Sequence, residues 1–134
     1  MKTQLLKERI VDILNAEITE IESYDAEQFG FVELPNISVK MQSCDRMTKA
    51  MTKAFTSQVE ITLRAHSGDS LSVDQINGVT NEIEALLSDN FKDQINAGIN
   101  NLCVDYFAHN GGIPEWEDNT LQCRFDCEVI FQII

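Results

Sequence analysis

The chain has little of what most catalytic and nucleic-acid-binding proteins rely on. Ten basic residues stand against twenty-two acidic ones, for a net charge of −12 and a pI near 4.4. That balance excludes a role built on neutralising phosphates, so sequence-specific nucleic-acid binding is not expected. Two histidines, His66 and His109, are all that could titrate as imidazole near neutral pH, and neither has a Ser, Cys or Lys beside it in a nucleophile motif. Gly111-Gly112 lacks the downstream Gly-Lys or third glycine of a phosphate-cradling loop. No uncharged stretch approaches the roughly 18 residues of a membrane span. Lys2, Lys7 and Arg9 interrupt the first apolar residues where a signal peptide would need an uncharged run, which predicts a chain that starts in the cytoplasm.

The four cysteines form no Cys-x-x-Cys pair. Cys123 and Cys127 fall four apart on one face of a strand, about 13 Å from each other, too far to bridge. Reduced cysteines acting as small apolar side chains are the expectation; a zinc site would need ligands brought from elsewhere.

What is present is a pattern. From Leu121 to Ile133 every odd position is apolar, while Gln122, Arg124, Asp126, Glu128 and Gln132 fall between them. A period of two predicts a strand with one face on a core, in an antiparallel sheet. Over roughly fourteen residues it would extend on the order of 45 Å, so it should bend, bulge or find a partner outside its own subunit. Leu6, Ile10, Ile13, Leu14 and Ile21 follow helical spacing and predict an amphipathic helix over about 3–22. The acidic Glu17, Glu20 and Glu22 oppose the helix dipole and should end it early.

Leu34-Pro35 introduces a first strand at Ile37, Val39 and Met41, and Val59, Ile61, Leu63 and Ala65 mark a second. Ser72-Val-Asp-Gln75 has the form of a capping box for a second helix carrying Ile76, Val79, Ile83, Leu86 and Leu87. Gly78 in its first half admits close packing on the sheet or simple tolerance. Lys92–Asn101 reads as a connection, Leu102 to Phe107 as a third strand, and His109–Asn119 as a long loop. The expected fold is a single α+β domain over 1–134. It has a mainly antiparallel four-stranded sheet and two principal helices, in the order α-β-β-α-β-β.

Two places invite a functional reading. Residues 43–56 read either as a short helix, with Met47, Met51 and Phe55 at i, i+4 and i+8, or as a long β-connection that would order on assembly; Lys40–Arg64 as a whole is net +3, leaving −15 on the rest of the chain. A positive segment on an acidic body would steer docking to an acidic partner or to another copy, or else is a solvated loop. Arg46, Met47, Lys49, Met51 and Lys53 are its candidate contacts. Trp116, the single tryptophan, stands between Glu115 and Glu117 and either packs onto its own sheet or anchors an interface. Asp105, His109, Glu115, Glu117 and Asp118 could approach a cation, yet their spacing matches no calcium loop, and an acidic solvated segment is the simpler expectation.

In element order the chain resembles the tail terminator, or tail completion, family of long-tailed bacteriophages. The residues that carry the resemblance are Leu5–Leu14, Leu34-Pro-Asn-Ile-Ser-Val39, the passage from Val59-Glu-Ile-Thr-Leu63 to Ile83-Glu-Ala-Leu-Leu87, and Phe125–Phe131. The resemblance implies a non-enzymatic structural protein without cofactor or metal. It would form a ring, usually a hexamer, that caps the tail tube, fixes tail length and presents a surface to the head-side connector or neck protein. Its location would be the head-proximal end of the tail, after assembly in the host cytoplasm. The methionine-rich basic stretch at 43–56 departs from the family's pattern. A small-ligand or regulatory binding module, or another neck or head-completion component, is the alternative expectation.

Overall fold

The structure, a computed structural model, describes residues 2–27, 33–46, 54–66 and 73–134. Its elements are α1 (Lys2–Glu17), β1 (Ser23–Asp25), β2 (Asn36–Arg46), β3 (Ala54–His66), α2 (Val73–Ser88), α3 (Phe91–Ala97), β4 (Leu102–Glu117) and β5 (Thr120–Ile133). Among the described residues the mixed α+β domain therefore has five strands and three helices, one strand and one helix more than expected. The sheet order is β1-β2-β3-β5-β4, antiparallel throughout except for the short parallel pairing of β1 with β2.

The alternation in β5 sets the whole plan. Leu121, Cys123, Phe125, Cys127, Val129 and Phe131 are all buried, and they align through the ladder with Ala65, Leu63, Ile61, Val59, Ser57 and Phe55 of β3. The helices cover this face: Leu6, Ile10 and Leu14 of α1, Ile76, Val79, Ile83 and Leu87 of α2, and Phe91 and Ile95 of α3 join one continuous core. On the other face Lys40, Gln122, Arg124 and Glu128 are exposed, while Asn36, Ser38 and Thr62 are buried. It is a polar sheet face, as antiparallel sheets permit. Small polar side chains hold its β1 side together, with Arg64 donating from Nη1 to Ser38 Oγ at 2.9 Å and Thr62 donating to Glu60 at 3.1 Å.

Several expectations are corrected. β5 finds both of its long partners, β3 and β4, within its own subunit, and the irregularities fall in other strands: at Asp105 and Gly112 in its neighbour β4, and at Gln42 in β2, on the far side of β3. Residues 92–101 are not a plain connection, because Phe91 and Ile95, four apart, turn one side of α3 into the core. Arg9 of α1 closes that short helix by donating to the Gln94 carbonyl at 2.8 Å and the Ile95 carbonyl at 3.4 Å. A cation at a helix C-terminus complements the carbonyls left without intrahelical partners. The loop expected at 109–119 is strand down to Glu117, closed by a two-residue turn at Asp118 (φ 47°) and Asn119 (φ 67°). Positive φ at both positions is the geometry that suits right-handed strand twist.

The connection at 43–56 is shorter than expected, since Ser43–Arg46 belongs to β2 and Ala54–Thr56 to β3. Ser72, the expected helix cap, lies outside the described residues. α1 stops at Glu17, as the acidic residues beyond it require, and Asn15 ties the following turn by bonding both the N–H and the C=O of Ser23. Gly78 faces open space, so tolerance accounts for it better than close packing. Among the described residues no helix is long and apolar enough to cross a membrane.

Candidate functional site

The sheet has two exposed ends, and the candidate residues divide between them. Arg46 pairs with Phe55 and through it with Phe131, at the end where β2 turns toward β3. Trp116 pairs with Leu121, opposite Ala65, at the end where β4 turns into β5. Ten residues of β5 separate the two rows, about 33 Å at strand rise. Arg46 and Trp116 therefore do not form one patch. Met47, Lys49, Met51 and Lys53 lie outside the described residues.

At the Trp116 end the edge strand extends beyond helical cover. Trp116 is 51% exposed although it shares the core face with buried Leu121, and Ile113, on the opposite face beside Arg124, is 75% exposed. Both sides of one strand edge thus present a large apolar side chain. Glu115, Trp116, Glu117 and Asp118 with Thr120 and Gln122 line a shallow depression of about 480 Å³ that carries three carboxylates. Gly111 and Gly112 shape this segment. Their φ values are +109° and +84°, and a Cβ on Gly112 would stand 2.6 Å from the Phe125 ring. Gly111, Gly112 and Pro114 suggest a loop in the sequence, and Ile113 and Trp116, three apart on opposite faces, set up no strand period that would mark Ile113.

The residues considered for a cation do not converge. Asp105 and Asp118 fall at opposite ends of β4, and among the described residues no group of three His, Cys, Asp or Glu side chains could hold a metal ion. His109 is in contact with Ser88, whose Oγ is 2.9 Å from Nε2, and its ring lies 6.5 Å from that of Phe125. Among the described residues no carboxylate bonds its other ring nitrogen, so the pair lacks the orienting group of a nucleophilic triad. The cysteines are free. Burial pushes the Cys127 thiol up to about 12, with Asp126 adding to the rise, which makes it an unreactive core group.

A polar cluster that sequence reasoning did not find joins α1 to β1. Asp25 accepts from Gln4 at 2.7 Å, from the Glu27 backbone N–H at 2.9 Å and from Lys7 at 3.4 Å, and Lys7 also reaches Glu27 at 2.6 Å. Burial raises the Asp25 pKa, but the Glu27 N–H, the Gln4 amide and the Lys7 ammonium more than offset it and leave it lowered. Lys7 and Asp25 are both buried. Every donor in the cluster has an acceptor within the domain, so it reads as a clasp that orients α1. No protein-family model matches the chain, and no curated protein matches it significantly in sequence.

Proposed function

We propose that this chain is a structural assembly protein of a long-tailed bacteriophage, a tail terminator that forms a ring on the end of the tail tube. The observation that carries the reading is the division of the domain into a helix-backed plate and exposed margins. A mainly antiparallel sheet has most of one face committed to a core, while apolar Trp116 and Ile113 and a row of carboxylates remain outside at one end. Large apolar side chains left in solvent among charges mark contact surfaces more often than catalytic ones. The element order adds support in part: with the short β1 and α3 set aside, it is the α-β-β-α-β-β order on which the resemblance to the tail terminator family rests.

In this reading the ring, its partners and its location go together: a homohexamer binds the tail tube protein on one side and the head-side connector or neck protein on the other. Subunits contact head to tail, so that rotation closes the ring. The net charge of −12 suits a lumen through which DNA passes without binding. Purified protein mixed with isolated tail tubes should appear in electron micrographs as a cap at one tube end only. Tubes left bare at both ends, or decorated along their length, would count against the proposal.

A further inference from the structure

Both lateral edges of the sheet have a stretch of backbone that nothing covers among the described residues. On the β2 side, β1 pairs only with Ile37–Val39, and the Ala26 N–H closes the pairing at the Val39 carbonyl. From Lys40 to Arg46 the outer edge of β2 runs beside an open groove of about 450 Å³ lined by Gln4, Lys7, Glu27, Met41, Gln42 and Cys44 among others. On the β4 side, the Asn96 side chain occupies both the N–H (2.8 Å) and the C=O (3.0 Å) of Val104 in place of a strand. Further along, the irregularity at Gly112 and Pro114, which has no N–H, make strand addition unfavourable. Between these two blocks, Tyr106–Asn110 is left free to pair.

The two free stretches stand at the same level of the sheet. Following the ladder across, Asp45 aligns with Thr56, Ile130 and Tyr106; Ser43 with Gln58, Glu128 and Ala108; and Met41 with Val59, Cys127 and His109. Because each of the three steps from β2 to β4 is antiparallel, β2 and β4 run in opposite senses. Two copies placed side by side in the same orientation would therefore bring β4 of one against β2 of the next as an antiparallel pair without any shift. The side chains agree with this placement. In the unshifted register Met41 and Cys44, on the core face of β2, would meet His109 and Phe107, on the core face of β4, and Met41, Cys44 and Phe107 are each only partly buried in the single subunit.

We propose that Tyr106–Asn110 pairs with Lys40–Arg46 of a second copy of this chain, so that repeated head-to-tail addition builds one sheet continuous across subunits. Strand addition at an open edge supplies main-chain hydrogen bonds, and heterologous contacts of this kind close into a ring when the rotation allows. The inference rests on the ring reading and specifies which surfaces make the ring. It also places the polar face of every subunit on the same side of the assembly.

Cross-linking tests the register. Directly opposed residues on an antiparallel pair hold their Cβ atoms about 4.5–5.5 Å apart, so Ser43→Cys and Ala108→Cys in one chain should form disulfides between copies under mild oxidation. Covalent multimers should appear on a denaturing gel for the double variant and not for the parent chain or either single variant. Met41→Glu, which puts a charge into the partly buried seam, should weaken self-association at least about tenfold. Multimers of the parent protein in sedimentation, with no cross-link and undisturbed association of the Met41→Glu variant, would overturn this contact and leave the ring reading standing. A parent protein that stays monomeric up to about millimolar concentration would overturn the contact and the ring reading together.

Discussion

β4 and β5 are neighbours of nearly equal length, 16 and 14 residues, joined by a two-residue turn, and they meet opposite fates. β5 lies between β3 and β4 with its odd side chains sealed beneath the helices; β4 is an edge whose second half, from Asn110 to Glu117, is almost wholly exposed. Pairing alone does not account for the contrast, because both strands belong to the same ladder. Helical cover does. Where a helix lies over a strand, every second residue must be apolar, and where the cover ends that requirement lapses. Side chains there answer to solubility and contact instead.

Substitutions in the two strands should separate these roles. Phe125→Ala or Phe131→Ala empties a fully buried aromatic site and should cost about 3 to 5 kcal/mol in chemical denaturation. Equal losses from Arg124→Ala on the exposed side would break the comparison. Gly111→Ala should cost about 1 to 3 kcal/mol, since its φ is +109° and the new Cβ would stand 2.4 Å from the Arg124 carbonyl oxygen. It would show that the uncovered half of β4 is nonetheless held to a defined path. Trp116→Ala should change the stability of the isolated subunit by no more than about 0.5 kcal/mol while impairing assembly.

The clasp between α1 and β1 gives a prediction with a sign. The Asp25 carboxyl is lowered from 3.8, so its contribution to stability is fully present above the unfolded value and is lost as pH falls through the lower folded one. Stability should decline on acidification below about pH 4. Asp25→Asn should remove that part of the decline, as measured by thermal unfolding across pH, and an unchanged acid limb would show that other carboxylates carry it.

The same contrast decides what could be read in advance. β3, β5 and the stripes of α1 and α2 were legible because each faces a core on one side, and Leu121–Ile133 or Ile76–Leu87 carry that asymmetry in every residue. α3 was missed because two buried residues, Phe91 and Ile95, are too few to establish a period over seven positions. The far half of β4 was read as a loop because Gly111, Gly112 and Pro114 are loop residues by composition, and only the ladder with β5 makes them strand. β1, three residues long, owes its place to β2 and the Asp25 cluster. Of the candidate contacts, Trp116 is exposed at one end of the sheet and Arg46 at the other. Ile113 and the two free edges became visible only with the register, since an unpaired backbone leaves no mark in a sequence.

The tail-length distribution measures the central claim most directly. Particles assembled without this protein should carry tails of uncontrolled length that fail to join heads, and supplying it should restore one length and the junction. Tails of normal, uniform length joined to heads in its absence would contradict the account.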